Sequence, residues 1–259
     1  MNHSEYRDID ALETELMTCT LCGFCKNVCP VFLDEGWDTA SPRGRMTMAY
    51  GLTSGQLDPD PALIDRLFQC TQCHDCARRC PSNAACPDIV LAARREMVRR
   101  GMTTETQNVL IENVQSTGNI YADPAVEFPI REGEVPLFIG CQYLSRPNSV
   151  KKIVKFLDRI GISPRIMEES CCGFPLHVMG FEQANQAQIS AVRERFQSGG
   201  DRVLTLCPSC MKQLKEMYDQ PSIHILELLD ERLQDITVSS PLSKKVTYHD
   251  PCDLSRGAG

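Results

Sequence analysis

No run of apolar residues in this chain is long enough to cross a bilayer: the longest, such as Val135 to Gly140, fall far short of the ~20 residues that a spanning helix needs. The opening stretch MNHSEYRDIDALETELM lacks the basic, then apolar, then small-residue order of a secretory signal. The chain is therefore expected to stay in the cytoplasm, without direct membrane insertion and peripheral to a membrane only through a partner. Excess positive charge is missing too. With 27 basic against 34 acidic residues the net charge is -7, which offers nucleic acid no general attraction and sets that partner class aside.

Cysteine, by contrast, is abundant. Fifteen occur among 259 residues, and they are clustered rather than spread evenly. Inside a cell the reducing thiol pool disfavours a disulfide framework and leaves metal binding or redox chemistry. The length accommodates two modest domains, each able to bury its own core. Residues 1–100 hold nine of the cysteines and little β-branched patterning, with helical candidates at Asp8 to Met17, Met46 to Leu52, Pro61 to Phe68 and Ile89 to Arg99. Residues 101–134 turn polar, with Ser116, Thr117, Gly118, Asn119 and Pro124 breaking any period, and read as a connecting segment with one short helix. In 135–259, apolar runs at Pro136 to Ile139, Arg202 to Leu206 and Lys245 to Tyr248 alternate with helical patterns at Ser149 to Ile160, Glu182 to Phe196 and Met211 to Tyr218. That rhythm predicts βα units on a parallel sheet, with Cys141, Cys207 and Cys252 each following a strand and sharing one rim. The fold class expected is α+β multidomain, a helical domain followed by an α/β cysteine-rich one.

Cys19, Cys22, Cys25, Cys29 and Pro30 spell C-x-x-C-x-x-C-x-x-x-C-P, and Cys70, Cys73, Cys76, Cys80 and Pro81 spell it again after forty intervening residues. Three thiolates on a tight loop meet three irons of one cube, while the fourth cysteine, displaced by the turn and proline, reaches the other cluster. Two [4Fe-4S] clusters with crossed ligand sets are expected: Cys19, Cys22, Cys25 and Cys80 for the first, and Cys70, Cys73, Cys76 and Cys29 for the second. A pair of structural zinc sites is the competing reading, but zinc has no use for a third cysteine and C-P at this spacing, twice over. Cys86 has no partner motif and is read as a small buried hydrophobe rather than a ligand. Ser41-Pro42-Arg43-Gly44-Arg45 reads first as a basic turn opening a helix. Its arginines would also raise the potential of clusters beside them.

Cys141, Cys171-Cys172-Gly173 and Cys207-Pro208-Ser209-Cys210 form a second constellation spread over three βα units. Adjacent cysteines hold neighbouring irons of a larger cluster more easily than one small ion, and Gly173 lets the backbone come close. A zinc site from four of the five, or a redox dithiol at Cys207 and Cys210, rivals the cluster reading on these residues alone. His177 and His249 lie near the cysteine motifs in sequence and are able to give a proton to a leaving thiolate near neutral pH, though most histidines are structural.

Taken together, the two ferredoxin motifs, S-P-R-G-R, C…C-C-G…C-P-S-C and the closing His249-Asp250-Pro251-Cys252 resemble the D-subunit family of heterodisulfide reductases. The iron–sulfur subunits of glycolate oxidase and anaerobic glycerol-3-phosphate dehydrogenase look similar as well. The resemblance implies a helical two-cluster ferredoxin domain over 1–100 and a cysteine-rich CCG domain over 135–259. In the latter the first repeat is complete, and the second ends after Cys252. It further implies a third, noncubane [4Fe-4S] cluster at Cys141, Cys171, Cys172, Cys207 and Cys210, and no flavin on this chain. The function it implies is an electron-transfer subunit that reduces a disulfide of the CoM-S-S-CoB type, active in a complex. The alternative is an iron–sulfur relay from a flavoprotein 2-hydroxy acid or glycerol-3-phosphate dehydrogenase to quinone. The partners implied are a flavoprotein, a hydrogenase- or formate dehydrogenase-type donor, or a membrane-bound cytochrome b.

Overall fold

The computed structural model describes residues 7–122, 128, 131–167, 170–194, 196, 202–237, 240 and 243–256. Two compact units form, Met1–Asn108 with Pro175–Glu182 and Val109–Phe174 with Gln183–Gly259. Pro124 and Gly259 lie outside the described residues.

In the first unit, prolines and capping side chains set where helices begin. After α1 (Arg7–Asp10), α2 (Glu13–Met17) and α3 (Pro30–Glu35), the Ser41 hydroxyl accepts from the Gly44 amide and Pro42 opens α4 (Pro42–Thr53). Asp60 caps α5 (Pro61–Phe68) in the same way through the Leu63 amide. A short α6 (Asp75–Arg78) and a long α7 (Cys86–Arg99) follow. The core lies mainly between α4 and α7, where Met46, Leu52, Ile89, Val90 and Met97 meet Ile9, Leu16 and Leu67. Gly44 is required there, because a Cβ would sit 2.0 Å from the Asp38 carbonyl oxygen. The single helix expected over Asp8 to Met17 is two, interrupted where the Leu12 amide bonds the Ile9 carbonyl three residues back. The connecting segment, expected to carry one short helix, carries a thirteen-residue one, α8 (Glu105–Thr117), which runs from the first unit into the second.

The second unit is a four-stranded parallel sheet in the order β2-β1-β3-β4: β1 Val135–Phe138, β2 Pro164–Ile166, β3 Val203–Thr205 and β4 Ser222–His224. The two-residue period of a strand splits its apolar side chains between two faces. Leu137, Ile139, Leu204 and Leu206 pack with Val150 and Leu157 of α10 (Pro147–Arg159), which follows the short α9 (Cys141–Leu144). On the other face Phe138 and Val203 pack with Ile189 and Val192 of α12 (Glu182–Arg193) and Leu214 of α13 (Pro208–Met217). In sequence α11 (Phe174–Val178), all but its first residue in the first unit, comes between β2 and α12, and after β4 come α14 (Ile225–Glu231) and α15 (Cys252–Ser255). Lys245 to Tyr248, expected as a strand, is not one: Val246 is 85% and Tyr248 62% exposed, so pairing that run would bury neither face. Cys252 consequently follows no strand and opens α15. Among the described residues no helix is long and apolar enough to cross a membrane.

Candidate iron–sulfur centres

The two ferredoxin motifs share one backbone trace. Leu21 and Gly23 in the first loop have positive φ, and so do Gln72 and His74 at the matching positions of the second. For Leu21, Gln72 and His74 this costs on the order of 1–3 kcal/mol each, a strain the loops bear at the same place twice. Alternating handedness of this kind turns successive amides inward and makes an anion-binding nest. The amides do reach sulfur: Phe24 lowers the pKa of Cys22, and the Ala84 amide donates to Cys80 Sγ at 3.3 Å.

Cys29, Cys70, Cys73 and Cys76 line one concavity together with Arg45 and Cys86. Burial raises the Cys70 thiol, while the guanidinium groups of Arg94 and Arg45 oppose it. Cys76 is lowered, first by the Cys86 thiol bonded to it, and Cys86 is raised by that bond and by burial. Cys86, read from sequence as a small buried hydrophobe and not a ligand, is buried and also touches one of the motif cysteines. In the other set, Cys25 is raised by burial to about 11, with Cys76 of the first-named set and then Cys19 as electrostatic neighbours, and Cys22 is exposed. Arg43 lies over this loop: its Nη1 donates to the Leu21 carbonyl at 3.4 Å and its Nη2 pairs with Asp38 at 2.8 Å.

In the second unit the strand order places the topological switch between β1 and β3, which is where open α/β sheets bind ligands. Cys141 follows β1 and Cys207 follows β3, so both stand at that crevice. The five thiols form a chain of contacts, Cys141 to Cys171, Cys171 to Cys172, Cys172 to Cys210 and Cys210 to Cys207. Cys172 is lowered to about 6 by thiol bonds from Cys171 and then Cys210, and Cys207 to about 6 by the Cys210 thiol. The other three are shifted upward. Cys141 is raised by the Cys171 thiol and burial, and Cys210 by Cys172 and Cys207. The bond to Cys141 lowers Cys171, but contact with Cys172 and burial outweigh it.

Glycine makes the crowding possible. Gly140 has φ +82°, and a Cβ there would lie 2.8 Å from Cys210 Sγ. At Gly173, φ +90°, a Cβ would meet the buried Asn185 Oδ1 at 2.4 Å. Two residues of the polar stretch form part of the wall, Gly118, read from sequence only as a period breaker, and Ile120: the Cys171 amide donates to the Gly118 carbonyl at 2.7 Å, and the Ile120 backbone bonds Cys141. Sequence reasoning missed both Gly140 and this wall, although a glycine directly before Cys141 was the available sign. Among the described residues no three histidine, cysteine or acidic side chains converge to hold a single ion.

Cys252 lies in α15, which packs on α13, where Ser209 donates to Asp253 at 2.5 Å. His177 falls in the first unit with its Nδ1 3.5 Å from Glu182 Oε2, and His249 is exposed in an irregular stretch.

Residues 15–84 match the 4Fe-4S dicluster domain, and residues 135–215 match the Cysteine-rich domain of CCG type. The chain is 28% identical to the B-subunit of fumarate reductase (CoM/CoB) from Methanothermobacter marburgensis over 99% of its own length, and it spans 57% of that protein. It is 26% identical to the D-subunit of dihydromethanophenazine:CoB–CoM heterodisulfide reductase from Methanosarcina barkeri, over 95% of this chain and 70% of that one. Identity reaches 35% with the probable glycolate oxidase iron–sulfur subunit of Bacillus subtilis, across 32% of this chain and 19% of that protein. The nests, the crowded thiols and the paired motifs all suit iron–sulfur clusters. The chain therefore joins a 4Fe-4S dicluster domain to a cysteine-rich CCG domain and is similar to the heterodisulfide reductase D-subunits.

Proposed function

We propose that this chain is the electron-transfer subunit of a heterodisulfide reductase-like complex, holding two [4Fe-4S] cubanes in its first unit and a third, noncubane cluster in its second. The observation that carries the reading is the set of five contacting thiols at the switch point of the sheet. When bound, the clusters supply one-electron steps, whereas cleaving a disulfide takes two electrons, so a terminal site must hold the half-cleaved species.

The chain's own residues meet that need. Cys19, Cys22, Cys25 and Cys80 would hold one cubane, and Cys29, Cys70, Cys73 and Cys76 the other, with Cys22 leaving an exposed edge to a donor. Cys141, Cys171, Cys172, Cys207 and Cys210 would hold the third; all but Cys207 are buried. The Tyr218 hydroxyl fixes the Cys172 carbonyl at 3.1 Å, and Gly140 lets α9 start against Cys210. The partners that fit are redox proteins, a flavoprotein or a membrane-bound cytochrome b among them, and the substrate is a disulfide of two thiol coenzymes.

A relay reading, from a flavoprotein dehydrogenase to quinone, has the glycolate oxidase likeness in its favour, yet that likeness covers 32% of the chain. Iron and acid-labile sulfide per chain, with EPR of oxidised and reduced forms, separate the two. About twelve irons, with a third signal sensitive to added thiols, is the result expected for three four-iron clusters; about eight would leave only the relay.

A further inference from the structure

Among the described residues the bulkiest fully buried side chain is a charged one, Arg45, 1% exposed. Its Nε donates to the Arg66 carbonyl at 2.9 Å, and its Nη2 has no protein partner. The side chain lines the concavity that also holds Cys29, Cys70, Cys73 and Cys76, and its charge acts on both Cys70 and Cys76. Among the described residues no carboxylate lines that concavity. A cation buried without a counter-charge is costly, so the missing negative charge belongs inside the concavity. A cube ligated by four thiolates supplies it.

Arg43, two residues earlier, has a different setting. Its guanidinium serves the loop of Cys22 and Cys25, but it is paired with Asp38 and 29% exposed, so solvent and a carboxylate blunt its field. Arg94 adds to the imbalance: 3% exposed, it donates to the Cys70 carbonyl among others, on the side of the second set.

Resting on the two-cubane reading, we propose that Arg45 is a positioning residue for the second cluster, donating through Nη2 and holding its potential above that of the first. Taking up one electron adds one negative charge beside the guanidinium and strengthens that bond, so the reduced form gains more than the oxidised. Charge-assisted bonds of this kind are worth at least about tenfold in an equilibrium constant. One electron arriving from a donor at the exposed Cys22 edge would come to rest at the second cluster, ready for delivery onward.

The test is an EPR-monitored dithionite titration of the full, anaerobically reconstituted chain, with the first cluster's signal identified by its change in Cys22→Ser. In the wild type, the signal that Cys22→Ser leaves alone should be reduced first. Arg45→Gln should lower that signal's reduced-to-oxidised ratio about tenfold at fixed poise, a shift of about 59 mV for one electron, and leave the other signal in place. Arg45→Lys, which keeps the charge, should recover at least half of the shift. Equal movement of both signals, or none, overturns the assignment. Should Arg45→Gln lose its iron, the wild-type order decides alone: reduction of the Cys22-sensitive signal first sinks the idea. Absence of two cubane signals in the wild type would instead sink the two-cluster reading itself.

Discussion

In the first unit burial raises Cys70 against Arg94 and Arg45, and Cys76 feels Arg45 besides the Cys86 thiol that acts on it most, whereas the strongest influences on Cys172 and Cys207 in the second unit are neighbouring thiols and their leading causes include no cation. The difference is one of purpose. Cations fixed around a motif tune the energy of an electron that passes through without bond making. Five thiols in a chain of contacts at the end of the sheet suit a place where several sulfur ligands are needed at once. The backbone differs in the same sense. The first unit bends its loops into nests for clusters on short helices, while the second delivers its cysteines to the ends of buried parallel strands.

If that division holds, the heaviest loss comes from Cys76→Ser. About four irons and one cubane signal should disappear, and electron delivery through the chain should fall to background. Full iron in that variant would remove Cys76 from the ligand set. Cys172→Ser should come next: disulfide reduction lost, with both cubane signals intact. Disappearance of the cubane signals as well would show that the two units do not act separately.

Gly140→Ala should do less and do it in the second unit alone. At φ +82° and ψ 148°, a region that essentially only glycine occupies, a side chain costs about 1–3 kcal/mol before the 2.8 Å approach to Cys210 Sγ is counted. Iron bound by the second unit should fall by about half, and the first unit's signals should not move. A variant with unchanged iron and unchanged melting temperature would mean that the close approach is not needed.

Much of the fold was legible from sequence where local chemistry acts alone. Pro61 to Phe68 was bounded correctly because Asp60 and Pro61 mark its start. The α/β alternation was legible from β1 and β3, whose runs of four and three buried or half-buried residues precede cysteines. β2 and β4, three residues each, are too short to show a period, and they are recognisable only by the neighbours they pair with. Lys245 to Tyr248 has strand-like residues but no burial to reward pairing. The contribution of Gly118 and Ile120 to the site is tertiary, since nothing local ties them to Cys171 and Cys141 some fifty and twenty residues away. Arg43 and Arg45 looked alike in sequence and differ because Asp38 reaches one and not the other.

The smallest effect is expected at Cys86. Its thiol lies 3.5 Å from the Pro42 carbonyl, touches Cys76 and lines the same concavity as Cys29, Cys70 and Cys73, so geometry alone makes it a rival to Cys29 for the fourth iron. The repeated C-x-x-x-C-P spacing favours Cys29, because Cys80 holds the equivalent place in the other motif. Serine at 86 keeps a donor for the Pro42 carbonyl in nearly the same volume, so stability should change by no more than about 1 kcal/mol. Iron content and both cubane signals should match the wild type, while Cys29→Ser should lose one signal. The reverse pattern, four irons lost from Cys86→Ser and none from Cys29→Ser, would transfer the ligand role to Cys86 and break the symmetry on which the crossed assignment of the two motifs rests.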